Sequence, residues 1–584
     1  MRRRSWRLLV ASALVGVACG CSTLPDSGEV HTRAGGTDET TSQAPDFAPP
    51  GPSVGDTPEG IVRGFLLAMQ ANPPSTAVAR SFLSNRAKST WRPDEGTIVY
   101  DAPTVTTADG QVVARLRGAH RLSPEGVWLD GTTSSTTALP LTLVAEGGQW
   151  RIDNPPNALA VPSSYFSSLF VPFDLYWFDR TGTVLVPTKV YVPRGEETAT
   201  NLVRGLLAGP PPAQRAAVVS AFPQRTELDP IVVVNDAGIA EVPLDSAVLR
   251  LAPAELNRVV AQLASTLRQV PGINRLRITV DGAPVSLSAG RSDVSVAEGA
   301  EFDPLVSAQR DVLAISGGRV VRDDGETSAP VGGPFGGAGF ALRSLAWDAR
   351  GHLIAAVSGN GRRVFVGPDR GGRSAGRVRT VLDGGTDVLR PSYDRFGGLW
   401  LVDNTRRGAV IHHIDGDLDA VIPVRGVSSR RLSSFLVTRD GTALVAVLAH
   451  GTNPTVIVGS IVRDALGHVE RVTAVRTLQI TGVDLGPARD VAQNAATSVA
   501  VLTRPATGPD QIVYVELDGS PGAQPSQGPG APATVPGPLD SLVASPDPAL
   551  PLDVVSADRR LFTYEGERWV RAALPAVVAA AYAQ

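Results

Sequence analysis

The stretch LAWDARGHLIAAVS at residues 345–358 decides the fold of the largest domain of this 584-residue chain. It reads as an apolar strand, a turn that begins with aspartate, and a second apolar strand. The same pattern returns in PSYDRFGGLWLVDN at residues 391–404 and in FLVTRDGTALVAVLA at residues 435–449. The turn aspartates, 46 residues apart in both intervals, are Asp348, Asp394 and Asp440. An interval of about 40–50 residues is typical of one propeller blade.

Looser copies of this unit extend the repeat in both directions. Their turns lie at Asn494 and Asp547, after intervals of 54 and 53 residues, and an early strand pair is present at residues 311–321. These copies predict a β-propeller-like domain of five or six blades over residues 300–584. The tail LPAVVAAAYAQ at residues 574–584 is either a segment that closes the ring or a short helix.

A smaller α+β domain is predicted over residues 57–165. A helix should begin at Thr57, because a proline and a glutamate follow it and apolar residues then recur at helical spacing. A second short helix is expected at residues 76–83, and alternating segments follow that predict a curved antiparallel sheet. Trp150 and Ile152 are expected in the core of the last strand. Helices followed by such a sheet suggest an NTF2-like or a cystatin-like fold.

The region between these two domains, residues 166–290, has a βαβ-like rhythm of hairpins, helices and a final strand. Its motifs are FDRTGTVLVP at 178–187, LLAGP at 206–210, AFPQRTELDPIVVV at 221–234 and ITVDG at 278–282. Their order and content resemble the GerMN domain, an α/β module, and we call these residues the GerMN region. The resemblance implies extracytoplasmic association and brings no known catalytic residues.

The N-terminus has the pattern of an export signal. Four arginines precede an apolar run at residues 8–18, which is too short to span a bilayer. Small residues then lead into Cys19 and Cys21, and this arrangement resembles a bacterial lipobox. We place the acylated residue at Cys21, after a signal peptide at residues 1–20 and before a Gly-, Pro- and Ser-rich tether at residues 21–56. The alternative is an ordinary signal peptide with two incidental cysteines.

Composition excludes several chemistries. Both cysteines lie in this leader, so no thiol is left for a disulfide, a nucleophile or a cysteine-ligated zinc site. Lys88 and Lys189 are the only lysines among 54 basic residues, and the formal net charge is −3. Without a block of basic residues, neither nucleic acid nor an anionic membrane surface is indicated as a partner.

Few motifs point to catalysis. The stretch IDGDLDA at residues 414–420 has the opening spacing of a calcium loop but lacks that loop's glycine and glutamate. It contains Asp415, Asp417 and Asp419. His412 and His413 are adjacent in a predicted strand, so they point to opposite faces and cannot share a metal ion. The glycine-rich stretch at residues 332–340 lacks the residues that complete a phosphate-binding loop, and no G-x-S-x-G motif is present.

Taken in order, the lipobox cysteine, the α+β domain, the GerMN region and the propeller resemble the LpqB family of actinobacterial lipoproteins. The resemblance spans essentially the whole chain and implies a non-enzymatic protein on the extracytoplasmic face of the cell membrane, with no cofactor. The implied partner is the extracytoplasmic domain of the Mtr sensor histidine kinase, whose signalling the protein would modulate, with effects on cell division and envelope homeostasis. Cys21 is the one functional residue that the resemblance carries over.

The alternative is an envelope hydrolase or a ligand-binding propeller with a metal ion in its central channel. That function needs carboxylates from several blades that converge on the channel. The aspartates of the repeated turns are better explained as turn caps, whose side chains accept backbone N–H groups.

Overall fold

The computed structural model describes residues 46–583 except 109–110, 130–134, 288–289, 305–309, 338, 372–376, 452, 481–484, 522–536, 548 and 566–567. The predicted signal peptide, Cys21 and most of the predicted tether lie outside the described residues.

The N-terminal region begins with three helices and continues as a sheet. The helices are α1 (Pro58–Ala68), α2 (Ala77–Ser81) and α3 (Asn85–Thr90). The strands are β1 (Thr97–Tyr100), β2 (Ala102–Ala108), β3 (Gln111–Leu122), β4 (Ser135–Leu141), β5 (Leu143–Glu146), β6 (Gln149–Ile152) and β7 (Leu159–Pro162). The predicted helix start is confirmed, since the Thr57 hydroxyl accepts a hydrogen bond from the Gly60 N–H at 3.1 Å. Phe65 of α1 packs against Trp91 in the core between helices and sheet.

Two expectations for this region need correction. The sheet has the order β2-β3-β1-β7 with β4 also on β3, and its β1–β7 pair is parallel, so it is not wholly antiparallel. Ile152 is buried as predicted, but Trp150 is 41% exposed. Trp150 lies close to the tip of the β5–β6 hairpin, where a Cβ atom added at Gly147 or Gly148 would meet no other atom within 4 Å. The alternation of buried and exposed positions along the strand therefore predicted the burial of Trp150 wrongly. The choice between the NTF2-like and cystatin-like folds stays a prediction.

The GerMN region, with the residues that flank it on either side, contains two sheets and two long helices. Its helices are α4 (Ser163–Leu169), α5 (Thr198–Ala208) and α6 (Pro253–Leu267). Its strands are β8 (Phe170–Asp179), β9 (Leu185–Pro193), β10 (Val218–Val219), β11 (Val233–Val234), β12 (Ile239–Pro243), β13 (Arg275–Val280), β14 (Ala283–Pro284) and β15 (Val294–Ser295). One sheet has the order β10-β8-β9, and the other has β11-β12-β13-β14 with β15 on β13. One core joins both sheets to α5 and α6, and both predicted hairpins are confirmed.

The C-terminal part of the chain forms six sheets, which we number as blades 1 to 6. Blade 1 consists of β16 (Val312–Ser316), β17 (Arg319–Asp323), β18 (Ser328–Pro330) and β38 (Val577–Tyr582). Blade 2 has β19 (Leu342–Asp348), β20 (Leu353–Ser358), β21 (Arg363–Pro368) and β22 (Arg379–Asp383), and blade 3 has β23 (Ser392–Tyr393), β24 (Leu399–Thr405), β25 (Gly408–Asp415) and β26 (Leu418–Val421).

The remaining blades follow the same order. Blade 4 has β27 (Leu432–Val437), β28 (Ala443–Leu448), β29 (Thr455–Arg463) and β30 (Val469–Gln479). Blade 5 has, among the described residues, β31 (Ala488–Gln493), β32 (Ser498–Thr503) and β33 (Gln511–Glu516). Blade 6 has β34 (Leu539–Val543), β35 (Asp553–Ser556), β36 (Leu561–Glu565) and β37 (Arg568–Arg571). Short 3₁₀ helices occur at Pro93–Glu95, Ser246–Arg250, Ala300–Phe302 and Pro334–Gly336.

The ring is closed by the end of the chain. Strand β38 pairs antiparallel with β16, so the first blade takes its innermost strand from the C-terminus. This pairing decides between two alternatives that the sequence left open, since the tail is a closing segment and the described residues form six blades. Closure removes the exposed edges that an open sheet would have at this point.

Candidate functional site

The repeated aspartates lie on one face of the propeller, at the turns that join the first and second strands of blades 2, 3 and 4. We call this the upper face and the opposite side the lower face. Asp348 accepts the Arg350 and Gly351 N–H groups at 3.1 and 3.0 Å, and Asp440 accepts the Thr442 N–H at 2.8 Å. The prediction that these residues cap turns is confirmed.

Asp394, the third of these residues, is also the centre of a buried network. Beyond its turn contacts, its Oδ2 accepts hydrogen bonds from Trp400 Nε1 at 2.8 Å and from the Arg463 guanidinium at 2.6 Å. Nε2 of His413 lies 3.5 Å from the same oxygen. Burial alone would raise the pKa of Asp394, but His413, Arg463 and Trp400 together lower it to about 2. The carboxylate therefore stays charged and ties blade 3 to blade 4.

The central channel is narrow and mostly apolar. First strands or their flanking residues from all six blades line a cavity of about 70 Å³, which has room for a few water molecules. Arg390 crosses it from blade 3, because its guanidinium donates to the Leu542 and Val491 carbonyls at 2.9 and 2.8 Å and to Asp490 Oδ1 at 3.0 Å. At the upper mouth, Arg439 donates to the carbonyls of Pro304 and Ala583. Two arginines thus narrow the space that a ligand would need.

The described residues around the channel differ from what the alternative of a metal-dependent hydrolase requires. None of the described residues that line it carries a carboxylate. Over the described ranges, no group of three or more His, Cys, Asp or Glu side chains is placed to hold a metal ion. The aspartates of the upper turns are bonded to their own turns rather than directed into the channel.

The remaining sequence candidates have structural partners. The loop with Asp415, Asp417 and Asp419 is the β25–β26 hairpin turn. Within it, Asp417 pairs with Arg379 and Asp419 accepts from His412 at 3.0 Å. His412 and His413 point to opposite faces, as expected. The described part of the glycine-rich stretch joins β18 to β19 and buries Phe335.

The GerMN region lies against the upper face. The Ser460 hydroxyl of blade 4 donates to the Ala213 carbonyl at 3.0 Å. In blade 5, the Tyr191 hydroxyl bonds to Ser520 at 2.8 Å. Residues of β8 and β9 also share a small cavity with Arg439 and Asp440 at the channel mouth. The upper mouth is therefore covered by another part of the same chain.

A cluster of charged residues, which the sequence analysis missed, stabilises this interface. Lys189 of β9 forms a 2.6 Å salt bridge with Glu516 of blade 5, and their side chains are only 16% and 10% exposed. Asp174 and Asp518 lie nearby, and burial raises the pKa of both carboxyls and of Glu516. The one available signal was the rarity of lysine, since Lys189 is one of only two in the chain.

No structural feature is available at Cys21, which precedes the described residues. None of the helices in the described part of the chain combines the length and the apolar character that a membrane crossing needs.

Three family models match successive parts of the chain. Residues 51–167 match the N-terminal domain of lipoprotein LpqB, residues 174–286 match the sporulation and spore germination domain Germane, and residues 318–576 match the LpqB β-propeller domain. The chain belongs to the LpqB lipoprotein family. The name of this family is that of a lipoprotein and not of an enzyme.

Relatives of the LpqB family align over nearly the full length. Lipoprotein LpqB of Streptomyces coelicolor is 28% identical, over 97% of this chain and 96% of its own. The Cutibacterium acnes protein of the same name is 27% identical, over 89% and 90%. Among solved structures, the first GerMN domain of the sporulation protein GerM from Bacillus subtilis is 20% identical, with a TM-score of 0.19, over 21% of this chain and 97% of that domain.

Proposed function

We propose that this protein is a membrane-anchored, extracytoplasmic lipoprotein that binds the extracytoplasmic domain of a sensor histidine kinase of the Mtr type and modulates its signalling. Through the kinase it would affect envelope homeostasis and cell division. The observation that carries the proposal is the propeller channel, whose described part is small and crossed by Arg390. With so little room in the described channel, the outer faces of the propeller suit protein docking better than catalysis.

Acylation at Cys21 gives the proposal its physical basis. Two or more acyl chains hold a protein on a membrane far more firmly than one chain does. A tethered lipoprotein has a raised effective concentration near a membrane-embedded kinase, so a modest intrinsic affinity is enough for binding. The lipoprotein changes signalling only if it binds one state of the kinase more tightly than the other.

Isothermal titration calorimetry tests the binding. The soluble chain that begins at Ser22 is titrated with the extracytoplasmic domain of the kinase, and the same domain from an unrelated sensor kinase is the control. Saturable binding to the first domain and none to the second supports the proposal. Absence of binding to the first domain at high micromolar concentration contradicts it.

The acylation site has a separate test. We expect mass spectrometry of the membrane fraction to find a lipid-modified N-terminal peptide that begins at Cys21. Cys21→Ser should abolish the modification and release the protein from the membrane, while Cys19→Ser, the matched control, should leave both unchanged. The opposite pattern would place the acylation site at Cys19.

A further inference from the structure

The lower face of the propeller is rich in arginine. The turns that join the second and third strands of blades 2, 3 and 6 lead into pairs of consecutive arginines. These pairs are Arg362–Arg363, Arg406–Arg407 and Arg559–Arg560. Turns at equivalent positions of a propeller lie on the same face, so topology brings together arginines that are dispersed along the chain.

Across blades 2 to 4, arginines of these turns and of the neighbouring segments form a continuous strip. The Ala409 N–H donates to the Arg430 carbonyl at 2.9 Å, which places the Arg406–Arg407 turn beside the segment that leads into blade 4. Asp387 lies between Arg343 and Arg431, at 2.8 and 2.5 Å from their guanidinium groups. The Arg362 carbonyl accepts the Gly385 N–H close by. We define the arginine strip as Arg343, Arg362, Arg406, Arg407, Arg430 and Arg431.

The strip carries a large excess of positive charge. Arg362, Arg406, Arg407 and Arg430 are exposed, and none of them forms a salt bridge within the described residues. The described carboxylates next to the six guanidinium groups are Asp387, the buried Asp403, and Asp383, which pairs with Arg363 at 2.8 Å. The second of these accepts the Thr386 and Asp387 N–H groups instead of an arginine. Planar, unpaired guanidinium groups bind carboxylates through paired hydrogen bonds.

Two observations favour an acidic protein over a membrane as the partner of the strip. The turns that carry it expose no large apolar side chain that would insert into a bilayer. Four of its guanidinium groups have no carboxylate partner among the described residues, and arginine pairs with carboxylates through two parallel hydrogen bonds.

We infer that the arginine strip docks an acidic surface on the extracytoplasmic domain of the sensor kinase. This inference rests on the proposed function and adds to it the docking face and the chemistry of the contact. Charge complementarity of this kind speeds association and weakens as ionic strength rises.

The test compares two charge-reversal variants of the soluble chain. The strip variant carries Arg406→Glu, Arg407→Glu and Arg430→Glu, three exposed positions without ion pairs. The control variant carries Arg117→Glu, Arg204→Glu and Arg250→Glu, which are exposed in the N-terminal and GerMN regions and change the net charge equally. Circular dichroism first establishes that both variants unfold at the temperature of the wild type. Calorimetry then measures their affinity for the kinase domain at low and at physiological salt.

We expect the strip variant to bind at least about tenfold more weakly than wild type, the control variant to bind like wild type, and wild-type affinity to fall with salt. Equal affinity of the strip variant and the wild type overturns the inference and leaves the proposed function standing. If the wild type itself does not bind, the proposed function fails and the inference with it. Vesicles of phosphatidylglycerol are the second probe, and strip-dependent binding to them in place of the kinase domain would overturn the inference in favour of lipid.

Discussion

Two buried carboxyl groups of the propeller, Asp394 and Asp553, have pKa values shifted in opposite directions by their surroundings. Asp394 pairs with Arg463, whose side chain is only 5% exposed. Asp553 of blade 6 instead lies against the Tyr582 hydroxyl of the closing strand, at 2.9 Å, and forms no salt bridge within the described residues. Burial and the nearby charges of Asp323 and Glu565 raise the pKa of Asp553 to about 7 against the opposing hydrogen bonds. The same residue type therefore serves two different electrostatic roles.

We predict that Asp394→Asn destabilises the propeller by about 3 kcal/mol at pH 7, because it leaves the buried Arg463 without a counter-charge. The pKa of Asp394 is lower in the folded state than in the unfolded chain. Its contribution to the free energy of unfolding is therefore complete above about pH 4 and is lost as pH falls towards 2. Urea unfolding followed by circular dichroism measures the change. Asp417→Asn at the exposed hairpin turn is the control, and equal effects of both substitutions would contradict the prediction.

Asp553 gives the opposite pH dependence. Its pKa is raised on folding, so its protonated form favours the folded state and stability falls as pH rises from about 4 through 7. We expect Asp553→Asn, which cannot ionise, to raise the melting temperature relative to wild type more at pH 8 than at pH 5. Thermal melts of both proteins at the two pH values measure this difference. A difference that does not depend on pH would show that Asp553 does not titrate in this range.

Among the elements, β38 closes the ring of the propeller. It supplies the innermost strand of blade 1, and Val577 and Ala580 lie in the core between blades 1 and 6. Without it, the apolar side of β16 and the edge of the blade would be open to water. The ring therefore depends on residues far apart in sequence.

We predict that deletion of residues 577–584 abolishes cooperative unfolding of the propeller and causes aggregation through the exposed edge of β16. Deletion of residue 584 alone is the control and should leave unfolding unchanged. Differential scanning calorimetry and gel filtration distinguish the two results. A soluble, cooperatively unfolding protein after the longer deletion would show that β38 is dispensable.

Elements with a local signal were predictable from the sequence, and contacts between distant elements were not. The aspartate turns repeat because each blade needs the same turn cap, so their spacing alone indicated the propeller. Trp150 was predicted wrongly, because alternation in a strand does not tell where a hairpin extends past the core. The contacts of Lys189 and the arginine strip were not predictable, because the residues involved lie hundreds of positions apart or come together only through propeller topology.

For the whole molecule, the main feature is the interface between the GerMN region and the upper face of the propeller. It contains the Lys189–Glu516 salt bridge and two further carboxyl groups with raised pKa values. Removing one partner of a buried salt bridge leaves an unpaired charge, so Lys189 and Glu516 depend on the contact between the two regions. The lower face lies on the opposite side of the propeller.

The rates at which the two lysines are chemically modified measure how well this interface excludes solvent. We predict that an amine-acetylating reagent modifies Lys189 at least about tenfold more slowly than the exposed Lys88, since its modification requires local opening of the interface. Glu516→Gln should speed modification of Lys189 and leave Lys88, the internal control, unchanged. Peptide mass spectrometry over time measures both rates. Equal rates in the wild type would mean that the regions are not docked as described.

Modulation of a sensor kinase is the proposed function, and the rate of kinase autophosphorylation in vesicles that carry the full-length kinase tests it most directly. The rate is measured with the acylated wild-type lipoprotein, with the strip variant, and without either protein. We expect the wild type to change the rate and the strip variant to change it less. An identical rate with and without the wild-type lipoprotein, at a concentration that saturates binding, would show that the lipoprotein does not modulate the kinase.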